Sequence, residues 1–97
     1  MKVTNMTSPK GNPVPNQFII TDATFINKLG GSHIGTMFQS YNSNIAFIDN
    51  SGQTYLDQTY WNYSATTSKY RSLFLNESTA ETRRKINSGE YILTDLN

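Results

Sequence analysis

The chain contains no cysteine, which excludes thiol nucleophiles, disulfide staples and cysteine-based zinc sites. That absence fits a reducing compartment, and a cytoplasmic protein of a bacterial host is expected. Histidine is nearly absent as well: His33 stands alone, so no histidine pair can ligate a metal, and a triad would need a distant aspartate. Charge is scarce, at 15% of residues with a formal net charge of +1. A strongly acidic nucleic-acid mimic is thereby excluded, and a protein gripping duplex through many phosphates would carry a larger basic surplus. Apolar runs are only a few residues long, so no segment reads as a membrane span. The opening "MKVTNMTSPKGNPVPNQ" lacks the apolar core of a secretory signal, and none is expected.

In place of charge and aliphatics the chain carries Ser, Thr and Asn, with aromatics at 12%. Such aromatic content with low net charge predicts a folded protein whose core depends on Phe and Tyr. A length of 97 residues predicts a single domain, residues 1–97, able to bury one modest core. All three prolines fall in residues 1–16, which read as an extended Pro-rich N-terminal arm.

Beyond the arm the pattern predicts an α+β fold, a small antiparallel sheet of four to five strands packed with two short helices in the C-terminal half. "QFIIT" reads as a strand ended by Thr21-Asp22, and "INKLGGSHIG" as a loop whose glycines permit positive φ. "TMFQSY", "IAFID" and "QTYLD" read as a meander, with "NSG" at 50–52 as a hairpin turn. Strict alternation would put Ile45 and Phe47 on one face, Ala46 and Ile48 on the other. Helices are expected near 66–75 and 79–88, and a last strand near 90–95. Ser78 and Glu81 fit a capping box, with Glu81 facing Lys85 at i,i+4 and Gly89 at the helix end.

No catalytic constellation emerges. Ser32 and His33 share a glycine-rich loop that lacks the lysine of a phosphate loop and the spacing of a dinucleotide fingerprint, so it reads as a turn. The acids do not cluster, and Asp49 and Asp57 sit at strand ends where carboxylates close turns. No enzyme activity, metal or cofactor is expected.

The stretch "WNYSATTSKYRSLFL" interleaves rings with cations. Residues 69–85 hold Lys69, Arg71, Arg83, Arg84 and Lys85 against Glu77 and Glu81. One reading makes Tyr60, Trp61, Tyr63 and Tyr70 a docking platform with these cations and His33. The other turns the rings inward, Trp61 and Tyr63 from an extended segment and Tyr70, Phe74 and Leu73 from a helix, leaving Lys69 and Arg71 in water and Arg83-Arg84-Lys85 as a solvated helix face.

"FQSYNSNIAFID", "YLDQTYWNYSATTSKYRSLFLNE" and "ETRRKINSGEYILTDLN" resemble a family of small, largely uncharacterised proteins of phages and related mobile elements. The most specific part is a Tyr-Ser-x-Thr-Thr-x-Lys-Tyr-Arg run, here Tyr63, Ser64, Thr66, Thr67, Lys69, Tyr70 and Arg71. The resemblance implies a genomic setting and no mechanism. With the residue audit it leaves two expectations. The first is a non-catalytic interaction module that binds and modulates a host or defence protein, with contacts at 60–71 and in the loop 28–36. The alternative is a sequence-tolerant single-stranded nucleic-acid-binding accessory protein, making weak contacts through the same aromatic and basic residues.

Overall fold

A computed structural model of the chain describes residues 1–26 and 31–97. Its elements in order are β1 (Lys2–Thr7), β2 (Pro13–Ile26), β3 (Ser32–Ser40), β4 (Ser43–Asp49), β5 (Thr54–Asp57), α1 (Ala65–Leu75), α2 (Thr79–Asn87) and β6 (Ile92–Thr94). The α+β class is as expected. The sheet is larger than expected, six strands in sequence order. It is also mixed, because β6 lies parallel to β5. Parallel neighbours need a long crossover, and residues 58–91 with both helices supply it.

Nearly all of what reads as an arm is part of a β-hairpin. β1 pairs antiparallel with β2, Lys2 opposite Thr21 and Thr7 opposite Pro13. Ser8-Pro9-Lys10-Gly11 is a β-turn closed by the Gly11 amide donating to the Ser8 carbonyl at 2.8 Å, with Gly11 at φ 84°. Pro9 presets the first central position of that turn, and glycine accepts the left-handed angle. Pro13 and Pro15 are tolerated because β3 reaches β2 only from Gln17 onward, so their end of β2 has one neighbour.

β2 does not end at Thr21-Asp22. The strand runs on through a register shift between Ile20 and Ala23, with Asp22 in the left-handed region at φ 53°. An aspartate tolerates that angle, and the bulge bends the strand rather than stopping it. The loop expected over "INKLGGSHIG" and up to residue 36 therefore shrinks. Ser32–Thr36 are strand, while residues 27–30, including Lys28, Leu29 and Gly30 of the expected loop, lie outside the described residues. Gly35 serves close approach instead of positive φ: a Cβ there would stand 2.1 Å from the Ile48 carbonyl oxygen of β4.

The sheet is buried on both faces. On the helix side lie Phe38, Ile45, Ala46, Leu56 and Tyr91, with Trp61, Tyr70, Phe74 and Ile86 packed against them. On the other side lie Ala23, Phe25, Met37, Phe47, Tyr55 and Leu96. Strict alternation fails at one place. Phe38 pairs with Ala46 but Gln39 with Asn44, so Ile45 is a bulge residue and packs with Ala46 on the helix side. Leu96 reaches its place because Asp57 Oδ1 accepts from the Leu96 amide at 2.9 Å and from Asn97 Nδ2 at 3.0 Å.

Local signals set both helices. Ser64 caps α1 by accepting from the Thr67 amide at 3.1 Å, and Asn76 ends it at φ 56°. Ser78 caps α2 by accepting from the Glu81 amide at 3.1 Å, and Gly89 follows at φ 84°. Glu81 does not complete the box. Its carboxylate turns outward to Arg84.

Candidate functional site

The candidate residues fall on two sides of the sheet. Tyr60, Trp61 and Tyr70 pack against the helix-side core. His33 belongs to the opposite face, where its ring stands 6.2 Å from Phe25 and 5.3 Å from Tyr55. A single surface holding all of them does not form.

The segment before α1 is a series of turns rather than an extended strand, so Trp61 and Tyr63 share no strand face. Asp57 starts it: Oδ2 accepts from the Thr59 and Tyr60 amides at 3.1 and 2.8 Å. Tyr60 and Tyr63 then meet edge to face at 5.3 Å, with Tyr63 48% exposed.

Arg71 is the largest departure from expectation. Read as a residue that reaches water, it is 0% exposed. Nη1 donates to the Trp61 carbonyl at 2.6 Å and to Asn62 Oδ1 at 3.2 Å, and Nη2 to Thr79 Oγ1 at 2.6 Å and Ser72 Oγ at 3.3 Å. Its guanidinium carbon also lies 5.1 Å from the Trp61 ring centre. A planar fork with five donors can tie the 58–64 turns, α1 and the start of α2 together, which no other side chain does as fully. Burial lowers its proton affinity, partly offset by the charge of Glu77. Among the described residues no carboxylate forms an ion pair with it. Leu73, expected inside, is 50% exposed.

Beneath α1 runs a polar seam. Ser40 Oγ and Thr67 Oγ1 share a hydrogen bond at 2.9 Å, and Gln17, opposite Ser40 in the sheet, is 0% exposed. The Gln17 side-chain amide has no hydrogen-bond partner among the described residues, nor does Arg71 Nε.

The other cations divide sharply. Lys85 pairs with Glu77, not Glu81, Nζ to Oε1 at 2.9 Å. Glu77 Oε1 also accepts from Tyr91 Oη at 2.7 Å, and Oε2 from Thr82 Oγ1 at 2.6 Å. Burial alone would raise the Glu77 carboxyl, but the hydrogen bonds from Lys85, Thr82 and Tyr91 outweigh it and hold it below the usual 4.5. Tyr91 is pushed up to about 12 by burial and by Glu77, and Lys85 is raised by the Glu77 hydrogen bond. Arg84 is occupied by Glu81. Arg83 is exposed yet lies 5.3 Å from the Trp61 ring centre, and Lys69 is exposed 5.3 Å from the Tyr70 ring centre.

On the opposite face His33 Nδ1 stands 3.6 Å from Asp49 Oδ2. With Ser32, Ile34, Asn50 and Ser51 the pair lines an open pocket of about 300 Å³. Ser51 Oγ donates to Asp49 Oδ1 at 2.6 Å, and that hydrogen bond, with the Gln53 and Ser51 amides, lowers the Asp49 carboxyl. The serine is bound to the carboxylate rather than to the imidazole, so the trio lacks the order of a nucleophile, base and orienter. Asp49 closes the 50–52 turn, as expected of an acid at a strand end. Among the described residues no three His, Asp or Glu side chains converge on a metal-sized site.

The larger concavity was not legible in the sequence. A groove of about 520 Å³ opens between β1 and α1, with Met6, Pro9, Ile19, Leu73 and Phe74 as its apolar walls. Phe74 is fixed in the floor by stacking on Phe38 at 5.7 Å. The groove exists because residues 2–7 pair as a strand and leave a gap to the helix, which the reading of an arm could not foresee.

A model of a family of unknown function (DUF8033) matches residues 1–90, and the chain belongs to that family. The match spans β1 through α2 and so takes in the groove, the Arg71 joint and the His33 pocket. No curated protein and no solved structure matches the chain. Among the described residues no helix is long and apolar enough to cross a membrane.

Proposed function

We propose that the protein is a small non-catalytic interaction module that binds and modulates another protein, carried by a phage or related mobile element as its sequence resemblance implies, with a host or defence protein as partner. The observation that carries this reading is the β1–α1 groove. Met6, Pro9, Ile19, Leu73 and Phe74 give it apolar walls, Leu73 is half-exposed, and it lies beside an edge strand. Such concave apolar ground flanked by free backbone is where proteins take protein segments. The half-exposed Tyr63 and the exposed Arg83 and Lys69 offer further polar contacts around the 60–71 turns.

The nucleic-acid reading draws less support from the geometry. Of its five cations, Arg71 is buried, Arg84 is held by Glu81 and Lys85 by Glu77. Lys69 and Arg83 remain, and Arg83 already covers part of the Trp61 ring. Two phosphate contacts give a shallow salt dependence and weak affinity.

Capture from bacterial host lysate, with mass spectrometry of the eluate and oligo-dT anisotropy in parallel, tests the reading. A stoichiometric protein partner is expected. Repeated stringent captures that return nucleic acid alone, with tryptophan quenching by oligo-dT that weakens as salt rises, would replace it with the nucleic-acid reading.

A further inference from the structure

The groove has three properties that together define what fits it. Its first is a free edge. β1 is an outer strand of the sheet, and among the described residues nothing pairs with its outer side. Alternate amides and carbonyls of an edge strand point away from the sheet, a ready template for one more strand. Lys2, an exposed charge on that edge, is a usual safeguard against unspecific pairing.

The second is an apolar slot at side-chain depth. Met6 and Thr7 of β1 and Leu73 and Phe74 of α1 line opposite walls. Met6, Ile19 and Phe74 continue inward into the helix-side core. A strand added to β1 would direct every second side chain to this face, and one of them would enter the slot.

The third is charge. Residues 1–21 contain Lys2 and Lys10 and no Asp or Glu, and α1 contains Lys69 and Arg71 and no Asp or Glu. Lys2, Lys10 and Lys69 are exposed. β1, its turn and α1 are thus free of acid, in a chain whose net charge is only +1. A second copy of the chain is a poor occupant, since pairing two β1 edges would bring like-charged hairpins together.

We propose that the β1–α1 groove binds an extended peptide segment of a partner protein, added as a strand to the edge of β1, with one large apolar side chain in the slot and acidic residues flanking it. The proposal rests on the reading of the protein as an interaction module and names the chemistry of what that module takes.

The test is selection of a displayed random peptide library, about ten residues per peptide, on the immobilised full chain. Enriched peptides should alternate apolar and polar residues, carry net negative charge and bind by fluorescence anisotropy. Leu73→Asp should weaken binding by at least about tenfold, by removing an apolar wall and repelling the flanking acids. Because Leu73 is half-exposed, the variant keeps its circular dichroism and melting temperature near those of the parent chain. N-methylation of peptide amides should abolish binding at one parity of positions and spare the other, the signature of a strand with one paired edge.

Enrichment of basic or unpatterned peptides, indifference to Leu73→Asp, or equal sensitivity to N-methylation at both parities would overturn the proposal. So would light scattering that shows a dimer abolished by Leu73→Asp, which would assign the groove to a second copy. If lysate capture yields a protein partner whose binding Leu73→Asp leaves intact, the interaction reading survives and the groove assignment falls. If neither peptide nor protein binds, both fall.

Discussion

The Arg71 joint and the β1–α1 groove draw on α1 residues only two apart, Arg71 buried and Leu73 half-exposed, and invert what charge and composition suggest. The joint gathers a guanidinium, an indole and two hydroxyls, the residue types of a recognition surface, yet both terminal nitrogens of the guanidinium are spent inside it. The groove is built from a proline-containing turn, a methionine and two residues of α1, and its apolar walls remain open. A cation advertises a binding site only when its hydrogen bonds are unspent. In this chain the charged residues with internal partners serve the fold, and the apolar ones without them face outward.

The comparison breaks most visibly at Arg71. Arg71→Ala strips four hydrogen bonds from a fully buried position and leaves the Trp61 carbonyl and Thr79 hydroxyl without their donor. A loss of about 3–5 kcal/mol is expected in urea unfolding, and Arg71→Lys should recover only part of it, lacking the planar fork. A loss under about 1 kcal/mol would mean that the joint is a surface after all.

Glu77 tests the second half of that internal network. Its carboxyl is held below 4.5, so the unfolded chain binds the proton more tightly. Its stability contribution is therefore full above pH 4.5 and lost as pH falls through the lower folded value. Tyr91, raised from 10 to about 12, works the other way: its contribution is full below pH 10 and is lost between there and 12. Lys85, also raised, adds to the alkaline loss. Glu77→Gln should lower stability by about 2 kcal/mol at neutral pH and flatten the acid limb, measured by thermal melts across pH. An unchanged acid limb would remove Glu77 from the network.

Gln17 sharpens the contrast from inside the seam. Its amide is buried without a hydrogen-bond partner among the described residues, which ordinarily costs about 1–3 kcal/mol. Gln17→Met keeps the volume and discards the orphaned atoms, so a gain of roughly 1 kcal/mol is expected in chemical denaturation. A clear loss would show that the amide is hydrogen-bonded in solution. The smallest effect on stability belongs to the groove: Leu73→Asp should change unfolding free energy by no more than about 0.5 kcal/mol while removing peptide binding. Unfolding of that variant would place Leu73 in the core.

What the sequence determined by itself was local. Ser78 as a cap, Gly89 at a helix end, the 50–52 hairpin and the turn-closing acids Asp49 and Asp57 are set by hydrogen bonds within a few residues. They follow from residue type and spacing. The α+β class followed from the change of period near residue 66. Tertiary structure decided the rest. β1 exists only because β2 pairs with it, and β6 runs parallel only because two helices carry the chain back across the sheet. The bulges at Asp22 and Ile45 reassign faces that strict alternation had fixed. Arg71 is buried because acceptors from Trp61, Asn62 and Thr79 converge on it, and Leu73 is exposed because β1 stops short of the helix. A side chain's exposure depends on which distant groups meet it, and a local pattern of residues does not contain that meeting.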